Sequence, residues 1–287
     1  MSIQFIIGRS GYGKTHLCLE QIHTRLRDNP QGPPLIYLVP DQMTFQSEKA
    51  MLKVTDIGGM IRAQVYSFSR LAWKVLQETG GLARTHLTSI GTNMMLRKII
   101  ENHRAKLRAF QSSADKHGFI EKTAEMIAEF KRYCVDPSTI FIDSTTNQAL
   151  QDKLHDLQLI YTEFHHQLKG KYLDAEDYLS LLAEKIPESV YLTDAEIWVD
   201  GFHSFTPNEY LVLEQFMKHA RRVTFTSTMD NVYENDPNEL DLFHENARNY
   251  RVLLQIASEN GIPIEEPIVL KTPHRFNSQA LLFLENH

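Results

Sequence analysis

The short apolar run Ile3-Gln4-Phe5-Ile6-Ile7 ends directly on Gly8, and the residues from Gly8 to Thr15 read GRSGYGKT. A short apolar run that stops at a glycine predicts a buried strand of a parallel sheet. The spacing Gly8-x4-Gly13-Lys14-Thr15 matches the P-loop pattern in full. Its glycines, with Gly11 as a third flexible point, let backbone N–H groups turn into the loop and surround phosphate oxygens. Arg9, Ser10 and Tyr12 complete that cradle. Lys14 would reach the β- and γ-phosphates and the Thr15 hydroxyl would bind Mg²⁺. The competing reading is a chance Gly-rich turn. Against it, the strand before the loop and the amphipathic pattern after it (Leu17, Leu19, Ile22, Leu26) supply the context that the motif needs. A helix starting at Thr15 would also direct its positive dipole end at the phosphates. A chain built on such a loop is expected to be α/β, with a parallel RecA-like sheet flanked by helices.

The rest of the chain divides into three regions by pattern. In residues 1–84, strand signals at Leu35–Val39 and Gln64–Ser67 alternate with helical spacing over Thr15–Arg27, Phe45–Lys53 and Phe68–Glu78. Residues 85–190 lose strand signals, and helical patterns over Gly91–Arg108, His117–Tyr133, Ala149–Lys169 and Ala175–Lys185 predict an all-helical insert. In residues 191–287 the α/β rhythm returns: strands at Glu196–Asp200, Arg222–Ser227 and Pro267–Leu270, helices over Pro207–His219 and Glu245–Asn260. One parallel-sheet domain split by a helical insert is the simplest architecture. A final helix in FNSQALLFLENH with no closing strand after it leads to the expectation that the chain is part of a longer protein.

Composition narrows the function classes. The formal net charge of −6 gives no general attraction to nucleic acid, so any such contact needs a local groove. Cys18 and Cys134 are far apart and form neither a disulfide framework nor a zinc spacing, which fits a reducing cytoplasm. The apolar run at the N-terminus is too short for a signal peptide. A P-loop site also needs an acid at the end of a neighbouring strand for the water shell of the metal. Asp200, closing IWVD, stands in that place; a turn-starting Asp is the alternative.

Several segments, read together, resemble superfamily 1 helicases of the UvrD/PcrA kind. They are more closely similar to the AddB/RexB subunit of bacterial helicase–nuclease complexes. FIIGRSGYGKT resembles the first helicase motif, and LVPDQMTFQSE the strand and loop that follow. SFSRLAWKVL resembles the segment TFHSLALRLL, IWVDGFHSFTPNE the Walker B segment VDEFQDTN, and LKTPHRFNSQALLFLEN the segment NYRSTQxILxxAN. The matches stand in the family's order over nearly the whole chain, with the helical insert where such helicases carry a 1B subdomain.

The resemblance implies an N-terminal helicase-like domain of a subunit that processes DNA double-strand breaks for homologous recombination and responds to Chi-type sequences. ATP and Mg²⁺ are the implied cofactors, and a 4Fe-4S cluster belongs only to the later part of a full-length relative. An AddA-type subunit is the implied partner, with single-stranded DNA and broken duplex ends as substrates and no membrane. Arg275 stands where motor helicases place an arginine on the γ-phosphate; a surface arginine capping the last helix is the alternative. Phe45 and Phe68 stand where related helicases meet single-stranded DNA, although core burial is the competing reading for both rings; Arg70 could line a backbone groove, with a solvated charge as the competing reading. Arg62, Lys74 and Arg97 are further candidates for a backbone groove, and Trp73 is expected in the core.

The departures from a motor are as informative. Motors carry a glutamate after the Walker B aspartate, where it serves as general base; here Gly201 stands there. His203 replaces the usual glutamine, and only Asp230 survives from the third motif. Glu209, on the next helix, reads as a solvated residue. Weak or no hydrolysis by this part is the expectation, inside a full-length hydrolase and exonuclease. A self-contained P-loop kinase or NTPase acting on a small molecule is the alternative, and a scaffold with a relic loop a third.

Overall fold

In the computed structural model the described residues are 1–54, 61–81, 85–140, 147–174, 176–233, 235, 237–275, 278, 280, 281 and 283. Most of the expected final helix therefore lies outside them. The chain forms two compact units: residues 1–79, 182–205 and 209–287, and residues 80–181 with 206–208.

The first unit is built on a parallel sheet. Its strands are β1 (Ile3–Ile7), β2 (Leu35–Leu38), β3 (Ala63–Tyr66), β6 (Glu196–Val199), β7 (Arg222–Ser227) and β8 (Ile268–Val269). They lie in the order β3-β2-β6-β7-β1-β8, and each pairing is parallel. β1, β2 and β6 are buried at every position. Helices cover both faces, so these strands are buried throughout rather than alternating, with Gln4 and Glu196 as buried polar positions in otherwise apolar runs. On one face α1 (Lys14–Asp28) and α2 (Thr44–Val54) pack Cys18, Leu19, Ile22, Leu26 and Met51 against Ile6, Tyr37 and Trp198. On the other, Tyr250 of α9 (His244–Glu259) meets the Phe5 ring edge-on at 4.6 Å. Phe5 and Ile6 are sequence neighbours, so the period of two sends them to opposite faces.

α3 (Phe68–Thr79) buries Phe68, Leu71, Ala72, Val75 and Leu76, and α8 (Pro207–His219) buries Val212, Leu213, Phe216 and Met217. Trp73 is 53% exposed, against the expectation of a core position. At 100° per residue it falls well off the stripe set by Leu71, Ala72, Val75 and Leu76.

The second unit packs α4 (Ser89–His103), α5 (His117–Arg132) and α6 (Gln148–Leu168) around Leu96, Ile99, Ile100, Ile120, Ile127, Ile160 and Phe164. It is not all-helical. β4 (Thr85–His86) and β5 (Tyr172–Leu173) form a two-residue parallel pair. Strands this short carry too few residues to show a period. α7 (Asp177–Lys185) starts two residues later than predicted, and the long segment of this unit runs to residue 181, within that helix.

The pattern that predicted a helix to Arg108 breaks at His103, where a 3-10 turn follows. The chain then turns the N–H groups of Arg108, Ala109 and Phe110 onto the fully buried Asp156 carboxylate, at 2.8–3.0 Å. Among the described residues no helix is long and apolar enough to cross a membrane.

Candidate functional site

The loop after β1 joins a buried strand to a helix that has no side-chain cap. Gly13 takes the N-cap position of α1 with φ 91°. The free N–H groups of the first helical turn therefore face the loop. Gly11 also lies in the left-handed region, at φ 83°. Both conformations are easy only for glycine. Gly8 is required for space: a Cβ there would stand 3.1 Å from Leu270 Cβ and 3.3 Å from Tyr12 Cβ.

Lys14 turns back across this loop and donates to the carbonyl oxygens of Gly8 at 2.6 Å and Arg9 at 3.0 Å. Burial lowers its pKa to about 8, against the opposing charge of Asp200 and with help from Arg275. An ammonium so poorly solvated, hydrogen-bonded to two carbonyl oxygens and drawn by the Asp200 charge, suits a multiply charged anion in the loop.

Asp200 follows β6 and is 2% exposed. Three hydroxyls donate to its carboxylate: Thr15 to Oδ2 at 2.7 Å, Tyr37 to Oδ2 at 2.5 Å and Thr226 to Oδ1 at 2.6 Å. Strand register explains the convergence. Tyr37 pairs with Trp198, and Val199 pairs with Phe225, so Tyr37 and Thr226 flank Asp200 from the strands on either side. The sequence reading missed Tyr37 and Thr226. The only signal for Tyr37 was a hydroxyl inside the otherwise apolar LIYL. Burial, and then the charge of Asp200, push the Tyr37 phenol far up, so it remains a neutral donor.

Arg275 and His274 reach the loop from the segment after β8. Their N–H groups donate to Gly11 O at 3.2 and 2.9 Å, and Arg275 Nη1 lies 3.5 Å from Ser10 Oγ. Lys14, Thr15, Asp200, Gly201, Thr226, His274 and Arg275 thus line one cavity of about 780 Å³. The cavity has the groups a Mg²⁺-bound triphosphate requires: free helical N–H groups, an ammonium, a guanidinium, a threonine hydroxyl and a buried carboxylate. Gly201 is at its wall with φ 81°. Arg9 does not line this cavity; its guanidinium lies 5.5 Å from the centre of the Phe243 ring.

A family model described as "ADDB, N-terminal" matches residues 5–285. The chain belongs to this AddB N-terminal family. It is 51% identical to the B-type subunit of the ATP-dependent helicase/deoxyribonuclease of Geobacillus kaustophilus, over 99% of this chain and 25% of the relative. It is 48% identical to the corresponding protein of Bacillus cereus, over 100% of this chain and again 25% of the relative. The chain therefore spans about a quarter of the length of the curated relatives it matches.

In this AddB-family chain the residues singled out for DNA are scattered in environment. Phe45 is 73% exposed on α2. Phe68 is 6% exposed and packs edge-on against Phe202 at 5.4 Å, the core position that was the competing reading. Arg70 is exposed and paired with Glu48 at 2.9 Å. Lys74 lies over the Tyr191 ring, and Arg97 pairs with Glu101. Arg62 is committed elsewhere: its guanidinium donates to the carbonyls of Pro33, Arg25 and Asn29 and closes the C-terminal end of α1. Asp230 is exposed and accepts from Tyr233 at 3.3 Å.

Proposed function

We propose that this chain is the Mg-ATP-binding, helicase-like part of a helicase/deoxyribonuclease subunit, related to the UvrD kind of superfamily 1 helicases and degenerate as a motor. The observation that carries this reading is the convergence of Lys14, Thr15 and Asp200 on one cavity, through the 2.7 Å bond between Thr15 and Asp200. A P-loop needs this pairing between its threonine and an acid on a separate strand. Gly8 to Thr15 would wrap the phosphates, Lys14 and Arg275 would meet the β- and γ-phosphoryl oxygens, and Mg²⁺ would be held by Thr15 and, through water, by Asp200. Bound Mg²⁺ would neutralise phosphate charge.

The first unit is then a RecA-like 1A domain and the second a 1B-like insert. The full-length protein would act in the cytoplasm with an AddA-type partner subunit on broken duplex ends, in homologous recombination, and respond to Chi-type sequences. Any iron–sulfur cluster would lie in the remaining three-quarters of the length of such relatives. Single-stranded DNA contacts of this part, with Phe45 and Arg70 as first candidates, would be weak and salt-dependent, because the net charge is −6.

Among the described residues that line the cavity, Asp200 is the only carboxylate, and three hydroxyls hold it. No second carboxylate there replaces the general base that Gly201 lacks. On this reading the chain is an ATP clamp rather than an engine; the imidazoles of His16, His203 and His274 also line the cavity, and service by one of them as a base would show as turnover. Single-turnover hydrolysis at saturating Mg-ATP, with and without single-stranded DNA, tests this. General-base catalysis contributes about 10²–10⁴ in rate, and a deficit of that order against a motor helicase is the expected result. Rapid DNA-stimulated turnover abolished by Lys14→Ala would overturn the clamp.

A further inference from the structure

An ionised carboxylate offers about four lone-pair sites to donors. Asp200 has three of them filled by protein hydroxyls: Thr15 and Tyr37 on Oδ2, Thr226 on Oδ1. The Thr15 bond is compatible with a metal, because the threonine oxygen keeps lone pairs free while its proton points at Asp200. The Tyr37 and Thr226 bonds are different in kind. They fill positions that waters on a metal ion would otherwise take. Tyr37 is fully buried in β2, at 0% exposure, and its ring is fixed in the core with Cys18, Leu19 and Trp198. It cannot swing away to make room. Asp200 is fixed as well, since its own N–H donates to Leu38 O at 2.9 Å.

We infer that Tyr37 is a positioning residue that locks Asp200 with Thr226 and takes the place of a metal-bound water, so that nucleotide binding at this site depends only weakly on Mg²⁺. This rests on the nucleotide reading of the cavity. With one lone pair of Asp200 left, the metal has a single anchoring water bond to the protein carboxylate. The phosphates are held chiefly by what does not need the metal: the loop N–H groups, Lys14 and Arg275. A site of this kind retains ATP when Mg²⁺ is scarce. It also gives up the metal geometry that in-line hydrolysis requires.

The test is calorimetric titration of the intact chain with ATP, once with saturating Mg²⁺ and once with EDTA. The wild-type Kd values are expected to differ by less than about tenfold, the equivalent of one ordinary hydrogen bond. Tyr37→Phe keeps the ring and frees one lone pair for a metal water. It is expected to widen the difference by about five- to tenfold, through tighter binding with Mg²⁺ and little change in EDTA. Thr226→Val frees a position on the other oxygen, is expected to move the ratio the same way, and stands in if Tyr37→Phe fails to fold. Wild-type affinity that falls more than about a hundredfold in EDTA overturns the inference. So does an unchanged ratio in the folded variants. Lys14→Ala run alongside separates the two levels. If it abolishes binding while the ratios stay fixed, the nucleotide site stands and the role of Tyr37 falls. If it changes nothing, the site reading falls and this inference with it.

Discussion

A Cβ placed on Gly201 would stand 2.9 Å from Met43 Sδ and 3.4 Å from Met43 Cε, and Gly201 has φ 81°. The missing carboxylate at this position is thus matched by its surroundings. The backbone is in a region that L side chains avoid, and a thioether occupies the space where the next side chain would start. Restoring glutamate here does not restore a base. Gly201→Glu is expected to destabilise the chain by roughly 1–3 kcal/mol, from the strained φ alone, and to leave ATP hydrolysis at the wild-type level. Denaturant unfolding and single-turnover hydrolysis check the two halves. An unchanged midpoint would show that the loop relaxes freely.

Arg62 was a candidate for a DNA groove, but its guanidinium is hydrogen-bonded to Pro33 O at 2.6 Å, Arg25 O at 2.7 Å and Asn29 O at 2.5 Å. These include carbonyls at the end of α1 that also accept backbone N–H groups, Arg25 O from Asn29 at 3.2 Å and Asn29 O from Gly32 at 3.3 Å. Arg62→Ala is expected to cost roughly 1–2 kcal/mol of stability, at the low end for charge-assisted bonds because the head group is only partly buried. Its effect on single-stranded DNA binding should lack the drop of about one in salt slope that losing a phosphate contact gives. A salt titration of binding by wild type and variant measures that difference.

Asp156 anchors the turn that replaces the last part of the predicted helix in the second unit. It is fully buried and accepts from the N–H groups of Arg108, Ala109 and Phe110, with His155 Nδ1 at 3.1 Å. Removing the carboxylate takes the acceptor from three part-buried N–H groups at once. Asp156→Ala is expected to cost roughly 1.5–3 kcal/mol, the scale of a hydrogen bond to a charged group. Hydrogen exchange at residues 108–110 should rise well before that of the β1 amides. Exchange unchanged at those amides would count against the anchor.

The parts legible in the sequence were those set by local pattern. Ile3–Ile7 and Arg222–Ser227 were readable as strands because buried parallel strands are continuous and apolar or β-branched. Gly8 to Thr15 carries its loop geometry in residue types, since Gly11 and Gly13 sit at positive φ. Asp200 was readable from its place at the end of a strand. What was not legible depends on strand order. β2 and β6 are neighbours although 160 residues lie between Tyr37 and Trp198 along the chain, and only that adjacency brings the Tyr37 hydroxyl to Asp200. Gly201 could be read as a lost base but not as a position at positive φ, because that φ of 81° is a property of the folded turn after β6. Trp73 shows a further limit: one position off a helical stripe separates core from surface.

Lys14 gives the sharpest chemical test of the cavity. Loss of its ammonium removes a charge-assisted contact to phosphate worth about 1.5–3 kcal/mol, so Lys14→Ala is expected to weaken ATP binding by roughly 10- to 150-fold. The wild-type affinity should also respond to pH. Burial, the largest influence, lowers the pKa of Lys14 from 10.5 to about 8, Asp200 acts to raise it, and Arg275 adds to the lowering. In the ligand-free chain the buried ammonium is unfavourable below that value. Between about 8 and 10.5 the unfolded chain holds the proton that the folded chain has lost. Through that window the contribution of Lys14 to stability therefore rises with pH. ATP binding runs the opposite way. The triphosphate needs the charged amine, so affinity should be full below about pH 8 and decline above it as the proton must be taken up on binding. Calorimetry in buffers of different ionisation enthalpy should detect that uptake in the wild type and not in Lys14→Ala. Equal pH profiles for the two proteins would mean that the amine folded over the Gly8 and Arg9 carbonyls does not turn to meet phosphate.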